Sequence, residues 1–175
     1  CVFRGNNCQV EGGGVFITMG QGGDDLVVRQ CTFDSNSSVL NGGGLYSRDG
    51  FNNQLTIREC IFKNNHALQG AAVGGVDYYN GEYVLQNCLI YSNYGGYAVM
   101  NNGFRADGYM LDLSYCTIVD NPDGGVYCYP NTGSERRAGF RVVNSIIAWN
   151  GPLGIYYTSQ GTNFPAAVIQ YNDVY

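Results

Sequence analysis

The chain has 175 residues, a formal net charge of −5, and only 13% charged residues. With nine Lys and Arg in all, it has no basic stripe to neutralise phosphates, which excludes a nucleic-acid partner. No apolar run approaches the ~18 residues of a membrane span, so no membrane span is expected.

The predicted elements recur in chain order. The first unit opens at Cys1, with Phe3, Asn6 and Gly13-Gly14-Val15 behind it, then Leu26 and Val28. At Cys31 the same text restarts: Phe33, Asn36, Gly43-Gly44-Leu45, Leu55 and Ile57. The third unit runs from Cys60 through Phe62, Asn65, Ala71-Ala72-Val73, Tyr83 and Leu85. The fourth runs from Cys88 through Ile90, Asn93, Tyr97-Ala98-Val99, Leu111 and Leu113. The fifth runs from Cys116 through Ile118, Asn121, Gly124-Gly125-Val126, Phe140 and Val142. The sixth has Ser145 at the anchor, then Ile147, Asn150, Leu153-Gly154-Ile155, Ala167 and Ile169. Asn172 and Val174 begin a seventh.

The anchors Cys31, Cys60, Cys88 and Cys116 lie 29, 28 and 28 residues apart. A unit of that length cannot bury a core alone and must stack on its neighbours. Alternating apolar residues on both sides of the anchor put one column of each run on an inner strand face. Polar pairs before the anchor, such as Arg29-Gln30 and Arg58-Glu59, break the alternation and mark a bend. Small pairs before the third strand let the backbone turn tightly close to the core. The reading is an all-β, right-handed parallel β-helix, one domain over residues 1–175, with about seven coils of about 28 residues and three short strands per coil. At ~4.8 Å per coil it forms a prism roughly 30–35 Å long. Neither end shows a capping helix or a polar coil, so caps elsewhere in a longer protein, or ends that meet other copies, are expected.

Asn stands five residues after each anchor: Asn6, Asn36, Asn65, Asn93, Asn121 and Asn150. Asn tolerates left-handed backbone in tight turns, and stacked amides can form a hydrogen-bond ladder, so a structural Asn ladder is expected. Asn36-Ser37-Ser38 is also a glycosylation sequon, which makes Asn36 a glycosylation candidate on a surface turn.

The paired motifs Phe33-Asp-Ser-Asn36 with Gly42-Gly-Gly-Leu45, and Phe62-Lys-Asn-Asn65 with Ala71-Ala-Val73, resemble the repeats of chlamydial polymorphic outer-membrane proteins. More broadly they resemble bacterial surface proteins of the pectate-lyase-like β-helix superfamily. The resemblance covers essentially the whole chain and implies the β-helix fold. Later coils depart, with Ile90, Ile118 and Ile147 in place of Phe. The superfamily holds adhesins, surface filaments, phage spikes and polysaccharide lyases, so fold does not select function.

The Cys column is expected to be buried apolar filler, since Ser145 and Asn172 share it. His66 is the only histidine and no nucleophile aligns with it, so a solvated turn residue is expected and no catalytic residue is assigned. Between the third strand and the next coil the spacing varies from 10 to 14 residues. Variable loops at one corner of a solenoid are where binding function sits. Their aromatics Tyr78, Tyr79, Phe104, Tyr109 and Tyr129 are the glycan-binding candidates. Asp49 and Asp77 share one offset in adjacent coils and are weak metal candidates; calcium is the one ion they suit, and no other cofactor is expected. Asp112 and Arg141 share an outward column and are expected to form a cross-strand ion pair.

On the outer face beside the anchors, Ile61, Leu89, Tyr91, Val119 and Ile146, with Ala148, read as a continuous apolar strip. Such strips mark interfaces. The composition, with 26 Gly, 15 Tyr and one Lys, is typical of extracellular β-rich repeat proteins. The expectation is an extracellular or cell-surface structural or adhesive module that forms a homo-oligomer or filament. The alternative is a carbohydrate-active β-helix, a polysaccharide lyase or glycoside hydrolase or a glycan-binding domain, with an extracellular polysaccharide as partner.

Overall fold

In a computed structural model, the described residues are 1–20, 22–23, 25–51, 53–79, 81–103, 109–130, 139–158, 167–170 and 172–174; the side chains of 49–51, 77–79 and 130 lie outside the description. The strands of three long sheets follow from the apolar columns of the repeat, and Asn7–Cys8 and Ser37–Ser38 pair as a small separate sheet. Sheet 1 stacks the strands after the anchors: Val2–Arg4, Thr32–Asp34, Ile61–Lys63, Leu89–Tyr91, Thr117–Val119, Ile146–Ala148 and Asp173–Val174. Sheet 2 stacks the strands after the small pairs: Val15–Thr18, Leu45–Phe51, Val73–Tyr79, Val99–Gly103, Val126–Pro130 and Ile155–Tyr157. Sheet 3 stacks the strands before the anchors: Asp25–Arg29, Gln54–Arg58, Glu82–Gln86, Tyr109–Ser114, Gly139–Val143 and Val168–Gln170.

All neighbouring strands run parallel and one coil apart, so each sequence column becomes a physical stack. Phe33 pairs with Phe3 and Phe62, and Ile118 with Ile90 and Ile147. The rings of Phe33 and Phe62 lie 4.5 Å apart at 2°. Leu55, Ile57, Leu85, Leu111, Leu113 and Val142 from sheet 3 meet Leu45, Val99 and Val126 from sheet 2 in the same core, all with at most 1% exposure. Two sheets hold six strands and the third seven, so the expected seven coils overcount the complete turns; the last unit contributes only Asp173–Val174.

Beside the glycines Gly12, Gly42, Gly70, Gly95 and Gly124, two further columns take left-handed backbone. One precedes each anchor: Gln30, Glu59, Asn87, Tyr115 and Asn144, with φ from 51° to 56°. This is the bend that the polar pairs predict. The other stands four after the anchor: Gly5, Ser35, Asn64, Ser92, Asp120 and Trp149. The left-handed position is therefore the residue before the ladder Asn, and the reason expected for that Asn column is corrected below.

The small pair is small because the coils touch there. A Cβ on Gly44 would lie 2.6 Å from the Ala72 carbonyl oxygen and 2.9 Å from the Phe62 ring. That column runs Gly14, Gly44, Ala72, Ala98, Gly125, Gly154, and nothing larger than Ala enters it.

Candidate functional site

The turn after sheet 1 is built around the amide of the Asn column. The Asn36 amide nitrogen donates to the Asn65 Oδ1 at 3.0 Å, Asn65 to Asn93 at 2.9 Å, Asn93 to Asn121 at 3.1 Å and Asn121 to Asn150 at 2.7 Å. Asn6 donates to Asn36 in the same way at 2.9 Å. Each Oδ1 also accepts the backbone N–H of the preceding Asn, as at Asn65 and Asn93. A second amide bond goes to a strand carbonyl, from Asn65 to Phe33 and from Asn93 to Phe62. Asn36, expected both as a ladder member and as a glycosylation candidate on a surface turn, is fully buried in the ladder with its nitrogen bonded to Phe3 and Asn65, so it is not a surface residue in the fold.

The Cys column is polar in its own fashion. Each thiol donates to the carbonyl two residues earlier: Cys60 to Arg58, Cys88 to Gln86 and Cys116 to Ser114. Ser145 continues the column with the same bond, from its hydroxyl to the Val143 carbonyl, and the Asn172 amide donates one coil back to the Val142 carbonyl. Burial pushes the Cys60 thiol up to about 12. A hydrogen bond shared with Cys116, and then burial, push Cys88 up as well. Cys60 and Cys88, held protonated, are poor nucleophiles, while the hydrogen bond with Cys88 lowers the Cys116 thiol.

His66 differs from its expectation. It is half-buried against Tyr94, ring centroids 4.9 Å apart, at the edge of an open groove of about 420 Å³ lined also by Asn7, Ser37, Ser38 and Leu68. The one proton of the Ser38 hydroxyl is shared between the carbonyls of Val10 and Asn41, so it is not poised on His66 as a nucleophile.

Sheet 1 presents the apolar strip. In register along its outer face stand Ile61, Leu89, Thr117 and Ile146, with Ile61 36%, Leu89 37% and Ile146 44% exposed. Tyr91 and Val119 are half-buried beside them. Ala148, in register with Val119, is buried and drops out of the strip. The strip ends in charge: Asp34 accepts from Arg4 at 3.0 Å and faces Lys63 at 3.7 Å. Burial alone would raise the Asp34 carboxyl. Hydrogen bonds from Asn64 and Ser35, with the Lys63 and Arg4 charges, outweigh it and lower the carboxyl below 3.8.

Sheet 2 presents a tyrosine stack that sequence reading passes over. Tyr127 and Tyr156 are register partners, their rings 5.2 Å apart at 4°. Tyr97 stands 5.2 Å from Tyr127 at 44°, and Tyr129 6.4 Å at 17°. Tyr97 occupies the first small-pair position of its coil and covers Gly124, where a Cβ would lie 2.5 Å from its ring and where φ is +126°. Burial first, then the Tyr156 phenol, raise the Tyr97 and Tyr127 hydroxyls above their ordinary range. The signal was present in the register: Tyr127 and Tyr156 each follow the sheet 2 aliphatic and so face outward.

Of the five glycan candidates, Tyr129 joins this stack and Tyr109 is half-buried at the start of its strand. The side chains of Tyr78 and Tyr79, and Phe104 entirely, lie outside the described residues. Asp49 and Asp77 are backbone register partners in sheet 2, and their side chains also lie outside the description. Among the described residues no three His, Cys, Asp or Glu side chains gather as a metal site. On sheet 3 the Arg141 Nη1 donates to both carboxylate oxygens of Asp112, at 3.0 and 2.8 Å.

No helix among the described residues is long and apolar enough to cross a membrane. No curated protein and no solved structure matches the chain. A family model described as a right handed beta helix region matches residues 1–170. Stacked parallel strands, in-register columns and that match together make the chain a member of the right-handed β-helix family.

Proposed function

We propose that the chain is an extracellular structural or adhesive β-helix module that associates with copies of itself in a cell-surface assembly or filament. Right-handed β-helices serve as surface modules and as carbohydrate-active ones, and the fold alone does not choose between them. The carrying observation is the sheet 1 strip, where Ile61, Leu89 and Ile146 stay more than a third exposed on a flat, regular face. An apolar face of this kind is stabilised by covering it, and a second sheet 1 is flat enough to do so. The test is sedimentation of the double variant Leu89→Lys/Ile146→Lys. It is expected to run as a monomer at concentrations where the native chain associates, with unchanged circular dichroism. Equal sedimentation of both proteins sinks the proposal.

The tyrosine stack favours the second reading, a glycan-binding or carbohydrate-active β-helix acting on extracellular polysaccharide. Under that reading Tyr127→Ala/Tyr156→Ala abolishes retention on polysaccharide columns and leaves association intact. Calcium would enter only through Asp49 and Asp77. Chelation is expected to leave association unchanged, as read by light scattering before and after EDTA.

A further inference from the structure

Tyr127 and Tyr156 stand on adjacent parallel strands, in register, with their rings stacked nearly parallel and 5.2 Å apart. The strands carry them on the outer face of sheet 2, where Tyr156 is 40% exposed and Tyr127 half-buried. Rings stacked along the prism axis turn their edges, and thus their hydroxyls and ortho carbons, toward solvent. The backbone ladder holds the two side chains one coil apart, so the second phenol is present at high effective concentration whenever the first is oxidised. We propose that Tyr127 and Tyr156 are an oxidative cross-linking site, joined by a carbon–carbon bond when the protein meets a peroxide together with a haem peroxidase.

The step balances. Each phenol gives up one electron and one proton to the oxidant and becomes a phenoxyl radical. The two ortho carbons join, and each ring passes its ortho hydrogen to its own oxygen to recover aromaticity. The pair has lost two hydrogen atoms, and one peroxide has become two waters. The neighbouring groups suit this outcome. Cys60, Cys88, Cys116 and Cys128 are buried and cannot compete as reductants at the surface. Cys1, Cys8 and Cys31 lie in the first two coils, far along the prism from the pair. Met100 pairs in register with Tyr127 and can take up peroxide oxygen, but that adds mass where cross-linking removes it. Tyr97 and Tyr129 flank Tyr127 less favourably, one tilted at 44° and the other 6.4 Å away.

The experiment treats dilute native protein with hydrogen peroxide and a haem peroxidase. The readouts are dityrosine fluorescence, intact mass and peptide mapping. The expected result is a monomeric chain lighter by two hydrogens, with a peptide that links residues 127 and 156. Tyr127→Phe and Tyr156→Phe keep the rings and should each lose most of the fluorescence in the monomer fraction. Dityrosine found only between chains, through exposed tyrosines such as Tyr115, would overturn the proposal. Undiminished intrachain fluorescence in both Phe variants would overturn it too.

Discussion

Residue by residue, the Asn column shows how one side chain can close a coil. In most coils the Oδ1 accepts two bonds from the coil before it, while the nitrogen serves the next amide and a strand carbonyl. The left-handed turn is made by the preceding residue, which explains why that position varies from Gly5 to Trp149 while Asn does not. Removing one member leaves buried donors without an acceptor. Asn93→Ala removes the acceptor of the Asn65 backbone N–H and of one of its two amide N–H groups, the other staying on the Phe33 carbonyl, at a cost of about 3 kcal/mol. Urea denaturation of the variant measures it. For the same reason folded protein secreted from a glycosylating host is expected to carry an unmodified Asn36, which mass spectrometry reads directly. Asp34 gives a pH dependence. Its carboxyl is lowered in the fold, so its contribution is present above 3.8 and lost as pH falls through the lowered value. Thermal melts below pH 4 should drop more steeply for the native chain than for Asp34→Asn.

At the scale of elements, the strands were legible because stacking converts sequence period into spatial columns. Phe3, Phe33 and Phe62 share a column in the text and a stack in space. The small pair was legible for its size and is explained by backbone contact, so Gly44→Val should destabilise by about 3 kcal/mol as Phe62 and the Ala72 carbonyl are forced aside. Less was legible where a residue answers to its neighbour in space. Tyr97 breaks the small-pair pattern, and only the stack shows why: its ring lies over Gly124 and against Tyr127. His66 likewise reads as a solvated turn until Tyr94, one coil on, is seen packed against it. Asp112 and Arg141 could be paired from the text, because a shared outward column fixes their separation to one strand spacing.

The whole molecule is a prism whose three faces differ in chemistry. Sheet 1 is apolar from Ile61 to Ile146 and charged around Asp34. Sheet 2 carries the tyrosines, and sheet 3 the Asp112–Arg141 pair. The variable corner drew attention in the sequence for its loop aromatics. Among the described residues Tyr97, Tyr127, Tyr129 and Tyr156 gather on sheet 2, because register stacks like positions. The most direct measurement is light scattering across a concentration series of the native chain, with negative-stain microscopy of the main species. Self-association through sheet 1 predicts a mass that rises with concentration and particles wider than one prism. A single-chain mass at every concentration would contradict it.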